Sequence, residues 1–367
     1  MSSRAALPSD PAARPLRVVS IGGGTGQPNL ICALRALPCA IEAIVAMADD
    51  GRSTGILRER SGVLPPGDVR KCLSALASDP GAPLARAFAH RFGYLDNHAL
   101  GNLVLAALCE EGATFTEAVC ACEQLLDCVG RVHPSTTDDV HLIGRTVDGR
   151  VVRGQAALSH GSCALETVWL DSKARAHAPA VAAIMAADLV VLGPGSLFTS
   201  IIPNLLVDGI ATALRATPAM KAFICPKVDM QGETWGMDGD ECLAALERHG
   251  MAGAIDIAVF HRSADAAGSA TRTFRALVGR LAEPIASPSD AANLDGGPSR
   301  TSVPARHDAF PFRDVALTGD AERRVRARVP WVAVRDFSCA RSRSIHDPSA
   351  LGACILEVMN RCRSRRR

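Results

Sequence analysis

The residues of this chain best suited to chemistry are carboxylates and hydroxyls set among glycines. Asp49-Asp50-Gly51-Arg52-Ser53-Thr54-Gly55 puts two carboxylates, a guanidinium and two hydroxyls into seven residues, and Pro65-Pro66-Gly67-Asp68-Val69-Arg70 adds a third carboxylate. Adjacent aspartates beside a phosphate site can hold Mg2+, a hard cation that prefers oxygen, and a carboxylate so placed can equally bond a ribose hydroxyl. Two glycine stretches are candidates for the phosphate site itself. Gly22-Gly23-Gly24-Thr25-Gly26 and Gly193-Pro194-Gly195-Ser196-Leu197-Phe198-Thr199-Ser200 free backbone N–H groups for an anion, because glycine accepts positive φ and lets a phosphate approach the main chain. Ser196 and Thr199 are expected to donate to phosphate or sugar oxygens, and Asn204 closes the same block. His98-Ala99-Leu100-Gly101-Asn102, at a helix start, offers an imidazole and an amide.

Spacing narrows the chemistry. The dinucleotide fingerprint needs a glycine three residues after Gly24, where this chain has Gln27, and no Gly-Lys-Ser/Thr follows to make a triphosphate-hydrolysing P-loop. No nucleophile and base at recognisable spacing accompany the glycines, so binding rather than covalent chemistry is the leading expectation.

These residues need a scaffold that brings them to one edge. The apolar run Leu16 to Ser20, the first glycine loop, a helix over Leu30 to Leu37 and a second strand over Ile41 to Met47 read as a βαβ unit with parallel strands. Its second strand delivers Asp49 to Gly55 to the edge that holds the glycine loop. Helical patterns follow over Val69 to Ala77, Leu84 to Phe92, Leu103 to Cys109 and Phe115 to Cys128. Alternation between Val140 and Leu170, with Asp148-Gly149 as a turn, predicts an antiparallel insertion. The parallel theme resumes with a helix over Ala180 to Ala186 and a strand over Asp188 to Leu192, which hands over to the second glycine loop. A helix over Leu205 to Arg215, a strand over Lys221 to Cys225, a helix over Asp240 to His249 and a strand over Ile255 to Phe260 complete a doubly wound pattern. Both glycine loops are thus expected to close one cleft. Residues 1–15 are expected to be disordered, 16–260 to form the nucleotide-binding domain with its insertions, and 261–328 to be irregular and loop-rich. A strand and helix over 329–362 complete the core, and 363–367 form a basic tail.

With 367 residues, 48% of them hydrophobic, the chain is long enough for a sizeable core, and a net charge of +2 argues for no particular polyanionic partner. The five arginines between Arg361 and Arg367 read as a solvated end. Aromatic content of 4% supplies few stacking platforms, so no nucleic-acid partner is expected. The thirteen cysteines lack paired CxxC spacing and histidines at ligand distance, which favours free thiols over zinc. No stretch approaches the roughly 18 apolar residues of a membrane span. A cytoplasmic protein without membrane insertion is expected, with a homodimer as the default assembly.

Taken together, the blocks Gly22 to Gly26, Asp49 to Gly55, Pro65 to Arg70, His98 to Leu103 and Gly193 to Leu206 resemble the gluconeogenesis-factor (YvcK-like) family, relatives of the CofD-like 2-phospho-L-lactate transferases. The resemblance covers about Leu16 to Phe260 and returns at His346-Asp347-Pro348. It implies an α/β, Rossmann-like, doubly wound and mainly parallel sheet with a helical insertion and a small antiparallel β insertion. It also implies a nucleotide or nucleotide-sugar ligand, a UDP-sugar in the gluconeogenesis-factor branch, with links to carbon-source use and to cell-shape and envelope homeostasis. The phosphate-binding set would be Gly22, Gly23, Gly24, Thr25, Gly26, Arg52, Ser53, Thr54, His98, Asn102, Gly193, Gly195, Ser196, Thr199 and Asn204. In the transferase branch, two aspartates matching Asp50 and Asp68 hold the metal, Mg2+, that assists transfer of a phospholactyl group to a deazaflavin. The long Gly-Pro-Gly-Ser-Leu-Phe-Thr-Ser block favours the gluconeogenesis-factor branch. Arg52 and Thr54 depart from the Gly and Ser usual there, and Pro226 to Gln231 departs from the family pattern.

Overall fold

The computed structural model describes residues 14–229, 232–263, 313–340 and 342–366. Its first half runs β1 (Leu16–Gly22), α1 (Gly26–Leu34), β2 (Cys39–Val45), α2 (Arg52–Ser61), α3 (Pro66–Leu76) and α4 (Pro83–Ala89). A short hairpin, β3 (Arg91–Phe92) and β4 (His98–Ala99), leads to α5 (Leu100–Glu110), α6 (Phe115–Leu125) and β5 (Gly130–Pro134). The antiparallel insertion is β6 (Leu142–Thr146), β7 (Val151–Arg153), α7 (Gln155–Ser159) and β8 (Leu165–Leu170). Then come α8 (Ala178–Ala186), β9 (Leu189–Leu192), a π-helical turn at Leu197–Ile201, α9 (Ile202–Leu205), α10 (Ile210–Ala216), β10 (Met220–Ile224), β11 (Val228–Asp229), α11 (Gly239–Leu246) and β12 (Ile257–His261). Last are β13 (Arg313–Asp314), the helix Gly319–Arg328, β14 (Trp331–Arg335) and the helix Pro348–Arg366.

Seven of these strands form one sheet in the order β14-β12-β10-β9-β1-β2-β5, and every neighbouring pair is parallel. The chain winds outward from β1 through β2 to β5, then returns to the other side of β1 and winds outward through β9, β10, β12 and β14. The switch point therefore lies between β1 and β9, where the two glycine loops leave the sheet. Both faces are covered: Val18, Ala43 and Val45 pack with α1, α3 and the helix Pro348–Arg366 in one core, while Val19, Ile21 and Ile44 pack with α8, α10 and α11 in the other. Double burial is why these strands read as continuous apolar runs instead of alternating ones. The three-stranded insertion β7-β6-β8 is antiparallel, as the alternation predicts.

Three expectations need correction, the first being the basic tail at 363–367, where the C-terminal helix continues to Arg366. The helix expected over Leu205 to Arg215 is broken: α9 stops at Leu205, and Gly209, with φ +105, is the N-cap from which α10 starts. Residues 313–328, placed by sequence in an irregular stretch, form β13 against β11 and a ten-residue helix. That helix hid from a periodicity reading because it is mostly charge. Only its Ala321 and Val325 are buried, and it docks on α11 through ion pairs from Arg324 and Arg328 to Asp240 and from Arg328 to Glu247. The remainder of the stretch, 264–312, lies outside the described residues, as do residues 1–13 of the expected disordered start. Among the described residues no helix is long and apolar enough to cross a membrane.

The Thr318 hydroxyl caps the helix Gly319–Arg328 by accepting from Ala321 N. Thr318→Ala should lower stability by about 1 kcal/mol, read as a reduced melting temperature. Hydrogen exchange at 319–328 should be slow in the parent and fast in the variant; fast exchange in both would mean that this helix does not form in solution.

Candidate functional site

The first glycine loop turns because Gly24 adopts φ +65, and its N–H donates to Asp68 Oδ2 at 2.6 Å. One N–H of the expected cradle is thus committed to an internal carboxylate, while Thr25 and Gly26 open α1 with N–H groups that have no intrahelical partner. Gln27, which stands where the dinucleotide fingerprint needs its third glycine, is fully buried. Its Nε2 donates to Ser20 O and Ile44 O, and its Oε1 accepts from the Cys72 thiol. The side chain pins β1, β2 and α3 together.

Across the switch point, Gly24, Thr25, Gly26 and Asn29 face Pro194, Gly195 and Ser196 over a cleft of about 150 Å³. The far wall is made by Pro226, Lys227 and Val228 after β10 and by Ser344, Ile345 and His346. Asn29 Nδ2 donates to His346 O at 2.8 Å, and Lys227 Nζ donates to Phe337 O and Ile345 O, so the C-terminal wall is tied to both α1 and β10. Burial pushes the His346 imidazole down to about 3, helped by the charges of Lys227 and His261, so it is neutral at physiological pH. The two glycine loops do share one cleft. A third segment, which sequence reasoning assigned no part in binding, completes it.

The second loop differs from expectation in what its donors hold. Glu233 is fully buried and accepts from Phe198 N at 2.7 Å, Thr199 N at 3.3 Å and Thr199 Oγ1 at 3.2 Å, with the Ser196 hydroxyl bonding it as well. Burial raises its pKa and these donors oppose the rise. Thr199, 4% exposed, is therefore committed to an internal anion and not to a ligand. Asn204 is likewise internal: its Nδ2 donates to Gly22 O, Ser200 O and Ile201 O, which fastens the second loop to the end of β1. Gly193, with φ +83, sits where a Cβ would meet Ile224 O, so it serves the packing of the loop on β10.

The carboxylates also sort differently from the sequence reading. Asp50 accepts from Gln155 N and Ala156 N, capping α7 where Gly154 has no side chain to do so. Asp49 is the aspartate that pairs with Asp68. Burial, then the charge of Asp68, push the Asp49 carboxyl up to about 6, against the Gly51 N–H and the Lys71 charge. Lys71 Nζ donates to Asp68 Oδ1 at 2.7 Å, and this partner keeps its pKa raised despite burial. Successive residues after a strand point to opposite sides, so a one-residue choice between Asp49 and Asp50 is set by the path of the loop.

Of the other expected residues, Thr54 bonds Asp49, and Ser53 Oγ accepts from Asn102 Nδ2. His98 is buried in the β3–β4 hairpin with its Nδ1 unpartnered, and it is not among the residues lining the cleft. The Arg52 side chain lies outside the described residues.

The topology and the cleft at its switch point define a Rossmann-like α/β protein. Residues 18–278 match the family model described as 2-phospho-L-lactate transferase CofD. The gluconeogenesis factor of Halalkalibacterium halodurans is 38% identical over 248 residues, 66% of this chain and 77% of that protein. The gluconeogenesis factor of Bacillus subtilis is 38% identical over 244 residues, 65% and 77% of the two chains. A putative gluconeogenesis factor of Deinococcus radiodurans is 40% identical over 242 residues, and the match spans about half, 51%, of that longer protein. A crystal structure of a Bacillus halodurans protein superposes with a TM-score of 0.76 at 30% identity, covering 93% of this chain and 99% of the other. The chain belongs to the CofD-like family, within its gluconeogenesis-factor (YvcK-like) branch.

Two outcomes follow from the buried carboxylates. Asp49 titrates higher in the folded chain than the roughly 3.9 of an unfolded aspartate. The folded state therefore binds the extra proton, and the Asp49 contribution to stability is lost as pH rises from about 4 to about 6. Asp49→Asn should flatten the stability profile across that window and raise the melting temperature at pH 7.5; a parent-like profile would remove the Asp49–Asp68 repulsion from the account. Thr199→Val should cost about 1.5 to 3 kcal/mol of stability through loss of a hydrogen bond to a charged group. Ligand affinity measured by calorimetry should stay unchanged, and a weakened affinity without a stability loss would return Thr199 to the ligand site.

Proposed function

We propose that this chain is a nucleotide-sugar-binding regulatory protein of the gluconeogenesis-factor type, in which ligand binding itself carries the function. The observation that supports it best is the cleft at the switch point, where the open N–H groups of Thr25 and Gly26 face Gly195 and Ser196 and a neutral His346 completes the wall. A diphosphate would lie against the start of α1, where the helix dipole and free N–H groups favour an anion. The nucleoside and sugar would extend along the walls made by Pro226 to Val228 and Ser344 to His346. A UDP-sugar is the ligand class that the family reading favours, with roles in carbon-source use and cell-shape or envelope homeostasis, in a cytoplasmic homodimer.

A second reading, a CofD-type transferase that moves a phospholactyl-like group from a nucleoside diphosphate donor to a deazaflavin, draws on the Asp49–Asp68 pair beside Gly24. Asp50 does not fit a metal role, because both its oxygens accept from α7. Asp68 is engaged in the same way, by Gly24 N and Lys71 Nζ, and Asp49 accepts from Gly51 N. Mg2+ that uses one or two carboxylates and takes its other ligands from water and substrate phosphates would have to share these oxygens with those donors. Such an ion would relieve the repulsion that raises Asp49 and offset charge developing on a diphosphate leaving group. Among the described residues there is no group of three or more His, Cys, Asp or Glu side chains suited to a metal held by protein alone.

Mass spectrometry of small molecules that co-purify with the unmodified protein, followed by calorimetry with the molecule found, tests the first reading. A UDP-sugar is expected, with affinity reduced at least about tenfold by Gly24→Val, which puts a branched side chain at a left-handed position in the cradle. Robust turnover of an activated phospholactate and a deazaflavin acceptor with Mg2+ would replace this reading with the transferase.

A further inference from the structure

One largely buried cation, set apart from the residues that line the cleft, feels the charge of Asp68 but makes no ion pair among the described residues. Arg70, in α3, is 6% exposed, and among the described residues its only hydrogen bond runs from Nε to Asn102 Oδ1 at 3.2 Å. Its forked terminal nitrogens are left without a carboxylate. Burial, then repulsion from Arg91, pull its pKa down to about 10 against the attraction of Asp68, which still leaves the guanidinium charged at neutral pH. The terminal nitrogens are not among the buried unpartnered atoms, so they keep contact with solvent, and a fork held at Nε with its tips open can receive an anion.

Apart from the charge of Asp68, the polar groups that Arg70 meets through Asn102 are donors with their acceptors already used. Asn102, 1% exposed at the start of α5, is oriented by two bonds, since its Oδ1 accepts from Arg70 and its Nδ2 donates to Ser53 Oγ at 3.2 Å. A hydroxyl that accepts from Asn102 keeps its own hydrogen to give. Ser53 is the second residue of α2, whose N-cap, Gly51, contributes no side chain to the orphan N–H groups of the first turn. Gly101 makes room for the arrangement, because a Cβ there would lie 2.7 Å from Arg70 Cγ. Three helices thus converge a guanidinium fork and a hydroxyl hydrogen, and a carboxylate or phosphate matches that fork in shape and charge.

We propose that Arg70, Ser53 and Asn102 form a second anion subsite where α2, α3 and α5 meet, which takes a carboxylate or phosphate group. The subsite stands on these contacts alone; the nucleotide-sugar reading enters only in asking whether the anion is carried by the same ligand. In that case the ligand is acidic at its sugar end. Otherwise a separate small anion binds beside it.

The test uses the full chain and three probes: inorganic phosphate, UDP-glucose and UDP-glucuronate, the last two differing by one carboxylate. If the anion belongs to the ligand, UDP-glucuronate should bind at least about tenfold tighter than UDP-glucose, and Arg70→Gln should erase the difference. If it is separate, phosphate should raise the melting temperature of the parent and of Gly24→Val but not of Arg70→Gln, and the two sugars should bind alike. Arg70→Lys, which keeps the charge but not the fork, should lose most of the same effect and serves if Arg70→Gln does not fold. A phosphate response and a glucuronate preference that are both absent, or both indifferent to Arg70, would overturn the subsite. Failure of either UDP-sugar to bind would count against the nucleotide-sugar reading alone, because the phosphate titration still decides the subsite.

Discussion

The contact on which the site depends is the approach of α1 to the second glycine loop across the switch point. A Cβ on Gly26 would lie 2.3 Å from Pro194 O, far inside van der Waals contact, so the two loops can meet only because that residue has no side chain. Everything else at the cleft reinforces the meeting. Asn204 ties the second loop to Gly22 O, Gln27 ties β1 to β2, and Asn29 ties α1 to the C-terminal wall at His346. These are buried or partly buried bonds between segments as much as 317 residues apart, which gives the cleft its shape before any ligand arrives. Preorganisation of this kind lowers the ordering cost of binding.

The carboxylates show a second regularity. Asp68 serves the Gly24 N–H, Glu233 serves the N–H groups of Phe198 and Thr199, and Asp50 serves the start of α7. Backbone donors that a motif reading assigns to a ligand are satisfied by the protein's own anions, because a buried N–H must find a partner whether or not a ligand is present. The cradle left for an external phosphate is therefore narrower than the two glycine stretches suggest, and it centres on the start of α1. Asp49 also serves a backbone donor, the Gly51 N–H, but burial and the charge of Asp68 push its carboxyl up to about 6.

The architecture was legible because its signals are local and repeated. Parallel strands buried on both faces read as apolar runs such as Leu189 to Leu192, glycines punctuate them, and the order of strands and helices then leaves few topologies. The helix Gly319–Arg328 was missed for the opposite reason: two small buried residues among charges give no periodic signal, and its ion-pair partners, Asp240 and Glu247, lie far away in the chain. The break at Gly209 was equally invisible, since a glycine in an apolar helical pattern does not announce its φ.

At the site, residue type and order along the chain were enough to bring both glycine loops and the aspartate segment to the same edge, because parallel strands all present their C-terminal ends together. They were not enough to say which donor meets which acceptor. That Glu233 fills the second loop, that Asp49 and not Asp50 faces Asp68, that His346 walls the cleft and that Arg70 bonds Asn102 are all matters of side-chain direction and long-range approach. Short-range chemistry is written in the types of neighbouring residues. Hydrogen-bond partners far apart in the chain depend on where packing turns each side chain, and only the folded arrangement carries that information.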